Sequence, residues 1–193
     1  MKRIIIFLLL TSFLFIIPGS IFSQTDEEEA PEALATEAAE YILPYPGMLP
    51  DHPLYKIKTL RDKIILFLIR DPIKKAAKHL QMADKELFAA LKLAEKDKID
   101  LAQHIAFKAE HHITLMVTEI EKAVYYSNKE FPEDLAQRAH QAALKHQELL
   151  DGMMARANEN QQEGFKTIRE FSVRNDDELF RFKEEIEIKT YSY

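Results

Sequence analysis

Two consecutive segments of this chain repeat one seam, and that repeat limits the fold more than any other feature. Ile73, Leu80, Leu87 and Ala94 recur at heptad spacing, with Ala76, Ala83 and Ala90 in the row beside them. After the short polar connector Lys96-Asp97-Lys98, Ile99, Ala106, Ile113 and Ile120 form one row, and Ala102, Ala109, Met116 and Ala123 the other. Large-plus-alanine heptads bring two helices close together. Two matching seams joined by a few residues predict an antiparallel helical hairpin. It should be the tightest pair in the molecule, with Ala83, Ala90, Ala102 and Ala109 near the contact. Asp71-Pro72 marks the start of the first of these helices, an N-cap followed by proline at the first helical position.

The same periodicity places other helices around the hairpin. An earlier one is expected over residues 54–70, where Leu54, Ile57, Leu60, Ile64 and Leu68 follow 3–4 spacing. Its end, residues 64–69, is apolar on every side, which predicts a central position in the bundle. Pro132 with Glu133 and Asp134 opens a further helix. Its stripe is Leu135, Ala139, Ala142, His146, Leu149 and Met153, continued by Phe165, Ile168 and Phe171. Gly152 and Gly164 predict a bend, and residues 175–178 read as a new N-cap. The tail, 185–193, alternates like a strand, although a frayed helix fits an isolated end better.

Residues 41–55 read Tyr-Ile-Leu-Pro-Tyr-Pro-Gly-Met-Leu-Pro-Asp-His-Pro-Leu-Tyr. The stretch holds Pro44, Pro46, Pro50 and Pro53, half of the chain's 8 prolines, and Gly47. Each proline fixes its own φ and holds the preceding residue out of the α region. A stiff, extended strap follows, laid along a helical body, with Tyr45, Leu49, Leu54 and Tyr55 expected to be buried. The strap, with residues 58–64, Asp71-Pro72-Ile73-Lys74-Lys75-Ala76 and Ala83-Asp84-Lys85, resembles a bacterial family of small exported proteins. That family is domain of unknown function five-six-six-seven, and the resemblance covers about residues 41–123. It implies an exported, helical, non-enzymatic domain and carries no substrate. Residues beyond Lys129 lie outside the recognisable part.

The N-terminus reads as an export signal. Lys2 and Arg3 precede an apolar run at 4–17, Pro18-Gly19-Ser20 ends it, and cleavage is expected after Ser23. An uncleaved inner-membrane anchor is the minor alternative, although the run falls short of the roughly 20 residues a span needs. With 0 cysteines, a lipoprotein anchor, disulfides and thiol catalysis are excluded. Residues 24–40 are acidic and poor in large apolar groups, which predicts a flexible spacer. The organisation expected is therefore signal peptide 1–23, spacer 24–40, strap 41–53, helical domain 54–126 and additional C-terminal helices 127–193.

Charge narrows the partners. From Pro53 onward basic and acidic residues balance, which argues against nucleic-acid binding, a process driven by phosphate neutralisation. The balance is uneven locally. Lys56, Lys58, Arg61, Lys63, Arg70, Lys74, Lys75, Lys78 and Lys85 face only Asp62, Asp71 and Asp84, whereas the chain beyond Ala109 is acidic. The basic stretch suits weak contact with anionic lipid or wall polymer, or else a solvated face balanced elsewhere in the bundle.

The sequence names no catalytic, cofactor-binding or metal-ligating residue. His104 and His111 share a face but stand about 10 Å apart along the axis, too far to share a metal. His111 and His112 diverge, and His140 and His146 do not share a face. A cross-helix site from His104, His112, His146, Met116 or Met153 competes with surface or seam histidines and core methionines, and the second fits better. Carboxylates read mostly as solvated faces paired at three or four residues' spacing. No nucleophile elbow, phosphate loop or nucleotide fingerprint occurs. The expectation is an exported, all-α, antiparallel bundle of four to five helices with an N-terminal proline strap. Its role is a non-enzymatic envelope or extracellular interaction module, without cofactor, monomeric or dimeric. The alternatives are a periplasmic metal- or stress-sensing protein, or a binder of membrane surfaces or anionic polymers.

Overall fold

A computed structural model describes residues 41–127 and 129–190, with side chains through Glu184. The signal, the acidic spacer and residues 191–193 lie outside the described residues. Five helices follow the strap: α1 (Tyr55–Leu68), α2 (Pro72–Ala94), α3 (Ile99–Glu121), α4 (Glu133–Met154) and α5 (Glu159–Thr190). No strand occurs among the described residues, so the fold is the all-α bundle expected.

The hairpin forms as the seam requires. Ala76, Ala83, Ala90, Ala102, Ala106, Ala109, Met116 and Ala123 are all fully buried, and α2–α3 is the most extensive helix pair. Asp71 caps α2, accepting hydrogen bonds from the backbone N–H of Ile73 (2.9 Å) and Lys74 (3.2 Å). The connector turns through Asp97, whose φ of 57° lies in the left-handed region, and Lys98 N–H closes it on the Leu93 carbonyl. α3 runs on into a single π-helical turn, Lys122–Tyr126. Because alanine leaves no room at the seam, Ala83→Leu should destabilise by about 1–3 kcal/mol through overpacking. Thermal unfolding checks this, and an unchanged melting temperature would contradict the seam.

α4 and α5 close the bundle on the hairpin. One core cluster joins Leu87, Leu93 and Ile105 to Leu150, Met153, Phe165 and Ile168. A second joins Leu80, Ile113, Met116 and Ile120 to Leu135, Ala139, Leu179 and Phe182. The chain breaks just after Gly152, between Met154 and Glu159. Asn175 starts no new helix, however. α5 passes through it unbroken, and its buried side chain serves the interior described below. The described tail is helical through Thr190.

Two expectations about the N-terminal layer need correction. In the strap, Tyr45 is 77% and Leu54 50% exposed, while Tyr55 and Leu49 are half-buried. An extended segment turns some side chains to the body and others away from it, so not all of its apolar residues can be buried. Tyr41, Leu43 and Pro46 turn inward; Ile42 and Tyr45 turn out. The strap is held at its two ends. Tyr41 donates to Asp84 (2.7 Å), and Asp51 pairs with Lys98 (2.7 Å) and Lys96 (3.3 Å) of the hairpin turn. The second correction concerns α1. It is not central: none of its residues is buried. One face meets the bundle, and no described element covers the other.

Candidate functional site

Polar residues inside the bundle form a linked system. His146 of α4 is 0% exposed and lies between Asp84 of α2 (4%) and Glu110 of α3 (1%). Its Nδ1 donates to Glu110 Oε1 at 2.8 Å and its Nε2 to Asp84 Oδ1 at 3.2 Å. With a carboxylate at each nitrogen, both must carry protons, so the ring is an imidazolium. Burial opposes that charge, but Glu110 and Asp84 outweigh it and push the pKa up to about 9. The remaining carboxylate oxygens are also engaged. Tyr41 donates to Asp84 Oδ2, and burial with the Asp84 charge raises its phenol pKa. Asn175 Nδ2 donates to Glu110 Oε2 (3.5 Å) and to the Glu110 backbone carbonyl (3.1 Å), while Thr114 donates to Asn175 Oδ1 (3.0 Å).

A second cluster lies between α1, α2 and α3. Lys108 pairs with Glu86, and His112 Nε2 faces Glu86 Oε2 at 3.6 Å. His79 and His112 meet Nδ1 to Nδ1 at 3.0 Å. Burial lowers both, His79 to about 4 and His112 to about 3, the latter helped by its neighbour His79. Both rings are therefore neutral at pH 7. A single proton serves the pair, and His79 donating leaves the His112 Nε2–H aimed at Glu86. Burial raises the Glu86 carboxyl against the pull of Lys108. Lys108, also opposed by burial, is raised by Glu86. The direct contact between them favours the ion pair at neutral pH.

These clusters correct the sequence reading of the carboxylates. Asp84, Glu86, Glu110 and Glu119 are buried rather than solvated. Among the singled-out histidines, His104, His111 and His140 are exposed, and His140 pairs with Asp176 at the surface (2.9 Å). His104, His112 and His146 are not brought together, and Met116 and Met153 are core. Among the described residues no group of three or more His, Asp or Glu is placed to hold a metal ion. The network around His146 links α2, α3, α4 and α5 to the strap through Tyr41.

The outer face of α1 is different. Phe67 (85%), Leu68 (68%), Ile57 (65%), Leu60 (60%) and Ile64 (51%) are exposed, while Tyr55, Lys58, Thr59, Asp62, Ile65 and Leu66 are turned to the body. Beside this face, between the strap, α1 and α2, runs an open groove of about 460 Å³. Met48, Leu54, Ile57 and Met82 line it with Lys58, Arg61, Lys78 and Lys85. Its one acid, Asp62, is engaged by Arg61 at 2.7 Å.

Fold and site together define an all-α bundle domain with a linked polar interior, in which Glu86 Oε2 and Ser172 Oγ are left without a hydrogen-bond partner, and one outward apolar helix. No helix among the described residues is long and apolar enough to cross a membrane. The family model described as a domain of unknown function, DUF5667, matches residues 47–189, and the chain belongs to that family. The match begins at Gly47, so the leading residues of the strap lie outside it. It continues through α4 and almost all of α5, beyond the stretch where the resemblance was recognisable. No curated protein and no solved structure matches the chain.

Proposed function

We propose that the chain is an exported, non-enzymatic interaction module of the cell envelope or extracellular space. It is a rigid helical body that holds α1 out toward a partner surface. The observation that carries this is the orientation of α1: five large apolar side chains point away from the bundle that holds the helix. Folding alone would favour the reverse orientation, since exposed contiguous apolar surface marks contact sites. The interior gives less support to the metal-sensing alternative, because both nitrogens of His146 are occupied by carboxylates.

Purified chain without residues 1–23, whose apolar run would bind membranes by itself, and carrying Ile64→Ser and Phe67→Ser tests the proposal by rebinding to isolated envelopes. Melting should stay within about 0.5 kcal/mol of the parent, as for surface changes generally. Rebinding should weaken at least about tenfold, because each side chain buried in a contact contributes roughly 1.5–3 kcal/mol. Unchanged rebinding would contradict the proposal.

A further inference from the structure

We propose that the surface met by α1 is an anionic lipid bilayer, a proposal that rests on α1 being the contact element. The stripe lies at the boundary of headgroups and acyl chains, and the bordering cations sit on lipid phosphates.

The geometry of the helix supports this. At 100° per residue, Ile57, Leu60, Ile64, Phe67 and Leu68 fall within an arc of roughly 100°. The body-facing residues occupy the opposite side of the wheel. Both margins of the apolar arc are basic. Lys56 and Lys63 edge one side; Arg61 edges the other, where the groove adds Lys58, Lys78 and Lys85. An apolar stripe between two basic margins is the pattern of a helix lying in the plane of a membrane interface. At 14 residues α1 is about 21 Å long, enough to lie flat and too short to span.

Charge separates the bilayer from other occupants. A second copy seated on the stripe would set basic margins against basic margins. A neutral apolar protein groove would desolvate these cations without pairing them, which is costly. A layer of phosphates beside acyl chains meets both demands at once. Each cation near such a surface contributes attraction, and apolar insertion alone gives only marginal, reversible binding. The stripe and its margins therefore act as two signals in one element.

The chain has 0 cysteines, so one engineered thiol gives a unique probe. Full chain with Phe67→Cys, labelled with an environment-sensitive fluorophore, is mixed with two kinds of vesicle. One is phosphatidylcholine alone, and the other contains phosphatidylglycerol as well. Leu144→Cys, exposed on α4, is the control. The local probe decides, because the apolar run at 4–17 would hold the chain on vesicles regardless of α1. The probe at 67 should brighten and shift to the blue on phosphatidylglycerol vesicles, and the probe at 144 should not. Binding read at 67 should fall about fivefold for each of Lys56→Gln and Lys63→Gln. It should fall again in 1 M salt, where the Debye length shrinks to about 3 Å. Equal brightening on phosphatidylcholine alone, equal responses at 67 and 144, or indifference to the lysine changes would overturn the proposal. A probe at 67 that is silent on both vesicles but responds to lipid-depleted envelope protein overturns the bilayer and leaves α1 as the contact element. Silence in all three overturns both.

Discussion

Replacing His146 by alanine should cost about 3–5 kcal/mol, because it leaves Asp84 and Glu110 as buried carboxylates without their shared cation. For a chain of this size that lowers the melting temperature by about 10 °C or more. The same residue sets the alkaline limit of stability. Its folded pKa of about 9 lies above the unfolded value of about 6.5, so its contribution is fully present below pH 6.5. That contribution, about 3 kcal/mol, is lost as pH rises from 6.5 through 9. His79 and His112 act in the opposite sense. Their folded pKa values, about 4 and about 3, lie below the unfolded one, so they weaken the fold as pH falls from 6.5. Thermal melts across this range should peak near pH 6.5, and the alkaline slope should vanish in His146→Ala. A parent protein with a flat melting temperature from pH 6.5 to 9 would contradict the imidazolium.

Phe165→Ala should cost a comparable 3–5 kcal/mol. Phe165 is fully buried on α5 in the cluster that also holds Leu87, Leu93, Ile105 and Leu150, so the cavity would open among α2, α3, α4 and α5 together. Denaturant unfolding of the variant should remain one cooperative transition at a lower midpoint. If α4 and α5 unfolded first while the α2–α3 hairpin stayed intact, the four helices would not share one core. The family match across residues 47–189 agrees with a single unit, since it does not stop at the hairpin.

The hairpin was legible because its alanine rows carry their own periodicity, and Asp71-Pro72 announces α2 by local chemistry alone. The interior was not legible. Asp84 sits between Leu80 and Leu87 as Glu110 sits between Ala106 and Ile113, the same heptad slot in each helix. That equivalence was the available signal. Local spacing nevertheless favoured solvated pairs, because the partner that neutralises both carboxylates, His146, lies on a third helix. Asn175 misled for a related reason: Asn followed by acids reads as a helix start, yet its side chain answers a distant carbonyl on α3. The outward face of α1 had no sequence signal. Periodicity shows that residues 57–68 are apolar on a helix, but not which side lacks a cover.

Backbone hydrogen exchange, measured on the chain alone and with vesicles containing phosphatidylglycerol, tests the central claim most directly. With no buried residue, α1 should exchange faster than α2–α5 in the free chain. Vesicles should slow exchange across Tyr55–Leu68 and leave the α2–α3 hairpin unchanged. Exchange in α1 that is indifferent to the vesicles, with any protection falling on the other helices instead, would contradict the account.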